Sequence, residues 1–407
     1  MSKWQEYKLD EVYEFASGLS KSRDQFGFGY GFLSYMSIYN NYFVPNELDN
    51  LVNSNEKERK SCSINRGDVF LTRTSETDQD LGISSVALKE YPNATFNGFT
   101  KRLRPKGTIK ILPEYAGFYF RSPRFRAIVS GMSSMTTRAS LNNEMLSQLP
   151  ILVPSIETQT SIAETLISLH QKIDLLHRQN QTLEHLAEIF FKKWSMDESE
   201  KKWKVLKLGD IAVIQNGFAF SSKEYVIFQD IHLEVLKMGH IEPGGGLRAN
   251  PKKDFVPRNE KLKRWILNKN DIVMAMTDMK DNVVILGVPA MIDKSDKYVL
   301  NQRVARIYLK TNEELINNYL LYIQLKNPEF IASLQSKANS GVQVNLSTES
   351  IKDCEIVIPP MALQTEKGGS ITDLYLKKEN NDAQIRILTQ LRDTLLPKLI
   401  SGEVRLK

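Results

Sequence analysis

The sequence has little cysteine and no long apolar run. Two cysteines among 407 residues, Cys62 and Cys354, exclude a disulfide scaffold and a Cys-rich zinc module. Apolar runs stay short of the roughly 18 residues that a membrane-spanning helix requires. The N-terminal MSKWQEYKLD lacks the apolar core of a signal peptide. We therefore expect a cytoplasmic protein that does not enter a membrane.

Catalytic motifs are also missing. The sequence contains no GxxxxGK[ST] phosphate loop and no glycine-rich adenosylmethionine loop. Gly244-Gly-Gly is interpreted as a turn, and Gly27-Phe-Gly-Tyr-Gly, mis-spaced for a dinucleotide loop, as a mobile aromatic-glycine loop. His170, His177 and His185 lack ligand partners at metal spacing and are interpreted as solvated or partner-facing helix residues. We expect no catalytic residue, no metal site and no cofactor in this chain.

The composition is that of a folded protein. Hydrophobic residues make up 41% and charged residues 25% of the sequence. The length suits two domains with an additional segment. Lysine and arginine number 54 against 48 acidic residues, which gives a net charge of +6. This surplus permits a polyanionic partner without demanding one.

An internal repeat divides the chain. The offset between the copies grows from 199 to 205 residues, as loop insertions in one copy would produce. Each copy is predicted to be a mixed α/β or α+β domain, residues 1–155 and 200–360, followed by a long helix, residues 156–199 and 361–407. The copies align at Trp4 with Trp203, Gly18 with Gly217, Asp68 with Asp271, Asn97 with Asn301, Arg102 with Arg306, and Gln159 with Gln364.

The segments after the two domains predict long paired helices. Between Glu157 and Trp194 there is no proline or glycine, and apolar residues recur at the 4-3 spacing of a heptad seam. About 38 residues give a helix of roughly 57 Å. A short linker between the first helix and the second domain favours an antiparallel pair, and hence a dumbbell with a pseudo-two-fold axis. The alternative is that each helix packs on its own domain. The predicted seam comprises Ile162, Leu166, Leu169, Ile173, Leu176, Asn180, Leu183, Ala187 and Phe190, and then Ile371, Leu374, Lys378, Asn381, Ile385, Leu388, Arg392, Leu395 and Leu399.

Three motifs resemble the specificity subunit of type I restriction-modification systems. The first is the opening Trp-x-x-x-Lys-Leu-(Gly)-Asp at Trp4 and Trp203. The second is a Leu/Ile-rich phrase ending in Pro-x-x-x-x-Gln, at 146–159 and 351–364. The third is the ending Leu-Leu-Pro-Lys-Leu-Ile-Ser-Gly-Glu-Val from Leu395. The resemblance covers essentially the whole chain, although the first copy lacks the glycine before its aspartate.

The resemblance implies a non-catalytic DNA-reading subunit. Each target-recognition domain would read one half of a bipartite site in double-stranded DNA, and the helix pair would fix the spacer. Two modification (methyltransferase) subunits would dock on the helices and use S-adenosylmethionine, and restriction subunits would add ATP- and Mg-dependent chemistry. Two alternatives stay open at this point. One is a self-contained methyltransferase or nuclease, and the other is a coiled-coil scaffold that binds proteins.

Polar and basic residues in loops are the candidates for DNA contact. Arginine can pair with guanine edges, glutamine with adenine, and lysine mainly meets phosphate. The segments before Leu141 and Leu346 are the strongest candidates, because they occupy equivalent places in both copies. In the first domain the candidates are Lys21, Arg23, Arg73, Thr74, Ser75, Lys101, Arg102, Arg104, Thr136, Thr137 and Arg138. In the second they are Ser222, Lys223, Thr277, Lys280, Arg303, Arg306, Ser340 and Gln343.

Overall fold

A computed structural model describes most of the chain. The described residues are 4–75, 80–133, 139–196, 203–248, 251–280, 283–310, 317–340 and 343–405. The chain forms two compact units, Met1–Leu175 with Gln384–Lys407, and Leu176–Ala383. Each of the two long helices contributes residues to both units. Among the described helices, none combines the length and the apolar character needed to cross a membrane.

The first domain mixes short helices and strands. Its strands are β1 (Gln5–Lys8), β2 (Tyr13–Ser17), β3 (Phe26–Leu33), β4 (Leu51–Val52), β5 (Val69–Thr72), β6 (Thr74–Ser75), β7 (Ser84–Val86), β8 (Thr95–Phe96), β9 (Thr100–Pro105), β10 (Ala139–Ser140) and β11 (Pro150–Val153). Its helices are α1 (Leu9–Val12), α2 (Tyr35–Asn40), α3 (Glu56–Ser61), α4 (Pro113–Tyr119), α5 (Pro123–Ser133) and α6 (Asn143–Gln148).

A four-stranded antiparallel sheet forms the centre of the first domain, in the order β2-β9-β5-β7. Beside it, β3 pairs antiparallel with β4 and parallel with β8. Strand β1 pairs with β11, and β6 pairs with β10. The predicted mobile loop at Gly27 is wrong, because residues 26–33 form β3. Gly27 and Gly29 there have φ values of +96° and +97°, which favour glycine.

The second domain is built from the same kinds of element. Its strands are β12 (Lys204–Lys207), β13 (Ala212–Asn216), β14 (Leu233–Leu236), β15 (Phe255–Val256), β16 (Ile272–Ala275), β17 (Thr277–Met279), β18 (Pro289–Met291), β19 (Tyr298–Leu300), β20 (Val304–Leu309), β21 (Asn339–Ser340), β22 (Gln343–Asn345) and β23 (Glu355–Ile358). The long helix α7 (Ile156–Met196) precedes them, and the domain's own helices are α8 (Leu208–Ile211), α9 (Asn318–Lys326), α10 (Pro328–Ser336) and α11 (Thr348–Lys352).

The second domain repeats the topology of the first. Its central sheet has the order β13-β20-β16-β18, β14 pairs with β15 and β19, and β12 pairs with β23. Strand β22 joins β17 to β21, in the place of the β6–β10 pair. The predicted class, duplicated α/β or α+β domains, is confirmed.

The glutamine shared by the two copies is a structural residue. Gln159 is fully buried, and its Nε2 donates to the carbonyls of Pro154 (3.0 Å) and Lys110 (3.1 Å). Its Oε1 accepts the Leu112 N–H at 2.8 Å. Gln364 is equally buried, and its Nε2 donates to the Pro359 carbonyl at 2.8 Å. Each glutamine therefore ties the first turn of a long helix to the strand that precedes it.

The long helices are α7 and α12 (Met361–Ser401), each of 41 residues. In the first unit the core holds Leu166 of α7 with Leu399 of α12. In the second unit it holds Phe191 of α7 with Ile371 of α12. Residues early in one helix accompany residues late in the other in each unit, so the predicted antiparallel pairing is confirmed within each.

Most of the predicted seam is buried or half-buried. Phe190 is the exception, because it is exposed while Phe191 and Trp194 are buried. A helix with 3.6 residues per turn drifts by about 20° per heptad against a 3.5-residue repeat, which moves the buried face by the end of α7. The buried members are Ile162, Leu166, Ile173, Leu176, Asn180, Ala187, Ile371, Asn381 and Leu399, and the half-buried ones are Leu169, Leu183, Leu374, Lys378, Ile385, Leu388, Arg392 and Leu395.

The interpretation of His170 as a solvated or partner-facing residue is wrong. Its ring lies 5.3 Å from that of Tyr42 and 5.8 Å from that of Phe43, measured between centroids. His170 therefore packs the long helix against the first domain. Tyr375 occupies the equivalent position in α12 and packs on Tyr319 in the second unit, with 4.9 Å between centroids.

We expect the first unit to lose stability as the pH falls below about 7. Burial and then Arg392 lower the pKa of His170 below its ordinary value; Asp174 opposes them, and Arg121 adds a smaller lowering effect. The unfolded chain then takes up a proton at this residue before the folded chain does, so stability is full above the ordinary pKa. It declines between that value and the folded pKa, by at most about 1.4 kcal/mol per pH unit. Chemical denaturation of wild type and His170→Phe between pH 7.5 and 5 measures this, and an equal decline in both would contradict it.

Candidate nucleic-acid interface

A glycine brings two distant segments together in each domain. A Cβ on Gly18 would lie 2.2 Å from the Asn97 carbonyl oxygen, and one on Gly217 would lie 2.2 Å from that of Asn301. No side chain fits such an approach, so glycine is required at both positions. The polar segments that follow the glycines therefore begin beside the turn that leads into β9 or β20.

Backbone hydrogen bonds join this turn to two further segments of the first domain. The Arg73 N–H donates to the Phe99 carbonyl at 3.0 Å, and the Leu141 N–H donates to the Arg73 carbonyl at 2.8 Å. Strands β6 and β10 continue the contact, with Ser140 opposite Thr74. We call residues 73–75, 97–99 and 139–141 the first corner.

The second domain forms an equivalent second corner. The Met276 N–H donates to the Arg303 carbonyl at 3.0 Å, and the Leu346 N–H donates to the Met276 carbonyl at 2.8 Å. Strands β17 and β22 extend it, with Met279 opposite Gln343. The second corner comprises residues 276–280, 301–303 and 343–346.

The two corners display different side chains. In the first, Phe99 is 61% exposed and Arg73 is half-buried. In the second, Arg303 and Lys280 are exposed and Met279 is 59% exposed. The backbone bonds make Arg73 equivalent to Met276, and Phe99 equivalent to Arg303. The corners thus share a frame and differ in the chemistry that they present.

A buried carboxylate holds the loop after β17. Asp278 is 6% exposed, and its Oδ2 accepts the N–H groups of Val284 and Ile285, each at 2.6 Å. Burial would raise the pKa of Asp278, but the N–H groups that it accepts outweigh burial and lower it. The carboxylate stays ionised at neutral pH, and its Oδ1 also accepts the N–H of the exposed Met279 at 2.8 Å, which holds the backbone at this end of the second corner.

Sequence comparison decides the family. The profile of the type I restriction modification DNA specificity domain matches this chain twice, over residues 1–185 and 200–389. The chain belongs to the type I restriction-modification DNA specificity family. Both copies of the internal repeat are therefore specificity domains.

Relatives of this specificity protein span nearly its whole length. It is 25% identical over 386 residues to the type I restriction enzyme MjaIX specificity subunit of Methanocaldococcus jannaschii, covering 87% of this chain and 82% of the relative. It is 23% identical to the HindI specificity subunit of Haemophilus influenzae, covering 99% of this chain and 100% of the relative. The crystal structure of the S subunit from M. genitalium has the same fold, with a TM-score of 0.53, 16% identity, and coverage of 98% and 96%.

Two arginine candidates of the first specificity domain, Arg102 and Arg104, form hydrogen bonds within the fold, and their assignment as DNA contacts stays a prediction. Arg104 Nη2 lies 2.6 Å from Oδ2 of the fully buried Asp68, and Arg104 Nε donates to Oδ1 at 2.8 Å. Arg102 is buried, and its Nη1 donates to the Ser63 carbonyl at 2.7 Å. Each guanidinium group therefore has hydrogen-bond partners inside the domain, although the Arg104 side chain is 25% exposed.

Arg306 has the same structural role in the second specificity domain. Its Nε lies 2.8 Å from Oδ2 of Asp271, which is 5% exposed. Arg306 occupies the strand position of Arg102. Its partner Asp271 is nevertheless the equivalent of Asp68, which pairs with Arg104 in the first domain. Tyr308 fills the position of Arg104 and lies under the Arg306 guanidinium, 4.7 Å from ring centroid to Cζ. The ion pair is thus preserved while its arginine has moved by two residues along the strand.

Lys101 and Thr277 are also buried and form hydrogen bonds within their domains. Lys101 Nζ donates to Ser17 (2.9 Å) and to Asn143 (2.8 Å). Burial and then Arg73 lower the pKa of Lys101. Thr277 donates its hydroxyl to Asn345 at 3.0 Å.

The remaining candidates stay predictions. Arg23, Ser222 and Lys223 are exposed, whereas Lys21 is half-buried and pairs with Glu58 at 2.7 Å. Thr74, Ser75 and Ser340 lie on strands of the corners, and Gln343 is half-buried there. Thr136, Thr137 and Arg138 lie outside the described residues.

Sequence reasoning missed the exposed apolar members of these surfaces. Phe99 and Met279 belong to the corners. Residues near them in sequence, Lys101 and Lys280, are already candidates for DNA contact. Phe28 (50% exposed) on β3 and Ile227 (91% exposed) after β13 come after the polar segments that follow Gly18 and Gly217. Apolar residues beside polar turn signals were the available indication. Within the described part of the chain, no group of three His, Cys, Asp or Glu residues could hold a metal ion.

Proposed function

We propose that this chain is the DNA specificity subunit of a type I restriction-modification complex and that each corner reads one half of a split site. The supporting observation is that the two corners have the same backbone arrangement but different exposed side chains. Leu141 and Leu346 occupy the same places in the two corners, and Gly18 and Gly217 contact the corners at the same places, against Asn97 and Asn301. The exposed side chains on that frame differ. Two similar readers with different contact residues suit a site whose halves have different sequences.

The exposed groups fit the edges of bases. Arg303 offers a guanidinium that can form two hydrogen bonds with guanine, and Gln343 offers an amide suited to adenine. Phe99 offers an apolar surface suited to the thymine methyl group, beside Arg73. Lys280 and Arg23 are exposed cations suited to phosphate.

The long helices provide docking positions for the partner subunits of this family. Leu186 on α7 and Leu391 on α12 occupy equivalent positions, and they are 37% and 43% exposed. Apolar residues exposed at matching places suit two copies of one partner. We infer that two modification subunits bind here, and that restriction subunits join them.

The chemistry comes from those partners in this proposal. The modification subunits use S-adenosylmethionine to methylate adenine, and the restriction subunits use ATP and Mg. This chain supplies the sequence specificity and the helix pair that sets the spacer between the half-sites.

Replacing Arg303 by alanine is expected to relax one base position of one half-site. Loss of a paired arginine removes about 1–3 kcal/mol of discrimination and leaves the other half-site unchanged. Lys252→Ala is the matched control, since Lys252 is exposed outside the corner and is expected to weaken all sequences alike or not at all. Binding of both variants to a panel of single-base site variants measures the effect. Uniform weakening by Arg303→Ala would identify a phosphate contact instead.

Selection from randomised duplex DNA tests the proposal as a whole. The complex of this chain with its modification subunits is expected to enrich one split motif with a fixed spacer. Complexes that form but enrich no sequence would favour the alternative, a helical scaffold that binds only proteins.

A further inference from the structure

The helix seam in the second unit contains a buried polar cluster. Asn381 Nδ2 donates to Asn180 Oδ1 at 2.9 Å, and both side chains are nearly inaccessible. Asn180 Nδ2 donates in turn to Asp382 Oδ1 at 2.7 Å. Beside them, Lys378 Nζ lies 3.0 Å from Asp382 and 3.4 Å from Glu184. The two asparagines are buried and the charged residues are half-buried, and each has a partner on the other helix or within its own turn; Glu184 also lies 2.6 Å from Lys326 of α9.

The cluster has no counterpart at the equivalent positions of the repeat. With the offset of 205 residues between α7 and α12, Asn180 corresponds to Ile385 and Asn381 corresponds to Leu176. Lys378 corresponds to Ile173 in the same way. Each helix is therefore apolar where its copy is polar.

This asymmetry distinguishes the two possible kinds of helix pair. In the observed antiparallel register, Asn180 meets Asn381. Two copies of α7 in that register would place Asn180 against Leu176, and two copies of α12 would place Asn381 against Ile385. Both arrangements leave buried amides without partners, and they also separate Lys378 from Glu184. Buried polar groups at seam positions fix register and partner choice in coiled coils by this penalty.

We propose that Asn180, Glu184, Lys378 and Asn381 form a pairing code that makes α7 select α12 and reject a second copy of itself. Resting on the proposed function, the consequence is an asymmetric reader. Pairing of like helices from two chains would bring together two identical specificity domains, and such an assembly would read a palindromic site. The pairing code ensures that every assembly contains one first and one second specificity domain.

The test uses the full chain with a protease site inserted between residues 196 and 203 and cut after folding. The two fragments are denatured together, refolded and weighed by native mass spectrometry. Wild type is expected to give only pairs of one first fragment with one second fragment. In the variant Asn180→Ile, Glu184→Thr, Lys378→Ile, Asn381→Leu, each helix resembles its copy, and pairs of like fragments are expected to appear. Each amide stranded in a like pair should change the pairing ratio about tenfold.

Gln181→Leu with Asn380→Leu is the matched control, because both residues are exposed neighbours of the cluster. This variant is expected to retain exclusive mixed pairing. Like pairs from wild type, or exclusive mixed pairing by the fourfold variant, would overturn the proposal. The readout is mass, so it is independent of whether the domains read DNA.

Discussion

Replacing Asp68 by alanine is expected to unfold the first specificity domain and to abolish recognition of the whole site. Asp68 is fully buried, accepts two hydrogen bonds from Arg104, and accepts the Asn65 N–H at 2.7 Å. Its loss leaves the half-buried guanidinium and the Asn65 N–H without their acceptor, which costs roughly 3–5 kcal/mol, a large part of a domain's stability. A bipartite reader with one folded domain cannot retain its affinity.

Hydrogen exchange resolved by domain measures this result, with two matched variants. Asp271→Ala is expected to destabilise the second domain in the same way, because Arg306 is its partner. Glu114→Ala removes a more exposed ion pair to Arg66 in the first domain and is expected to cost less than about 1 kcal/mol. If Asp68→Ala cost no more than Glu114→Ala, the structural role of the pair would be wrong.

Inserting seven residues into both long helices is expected to lengthen the spacer and to leave the letters of both half-sites unchanged. The insertion points that keep the seam aligned are after Arg178, just before Asn180, and after Asp382, just after Asn381, because these two points lie opposite each other in the antiparallel pair. Seven residues add about 10 Å of helix, the length of about three base pairs. The inserted heptads need apolar residues at the seam positions.

The selected DNA motif reports the outcome of this insertion. An insertion in α7 alone is the control, since it breaks the pairing register and is expected to abolish selective binding. Changed half-site letters with an unchanged spacer would show that the helices do not set the distance.

The repeat and the helices could be predicted from the sequence because their signals are local or periodic. The heptad spacing predicts the long helices α7 and α12. The alignment of Asp68 with Asp271 predicts that the two domains share one fold. Phe190 was misplaced because a strict heptad ignores the slow drift of a straight helix. The packing of His170 could not be predicted because its partners, Tyr42 and Phe43, lie more than 120 residues away in sequence.

The corners could be predicted only in part. Arg73, Arg303 and Gln343 are polar residues near predicted turns, and the structure places Arg73 in the first corner and the other two in the second. Nothing in a single sequence shows that Arg104 turns inward while Arg303 stays exposed, because both lie in similar basic stretches. The choice depends on which strand position faces Asp68 or Asp271, and that is a property of sheet register.

The most direct test of the central claim is a map of N6-methyladenine in a host that lacks this modification. The host would express the modification subunits with this chain, without it, or with the Asp68→Ala variant. We predict one split motif, methylated in both halves, that appears only with the wild-type chain. A contiguous motif, or the same methylation without this chain, would contradict the account.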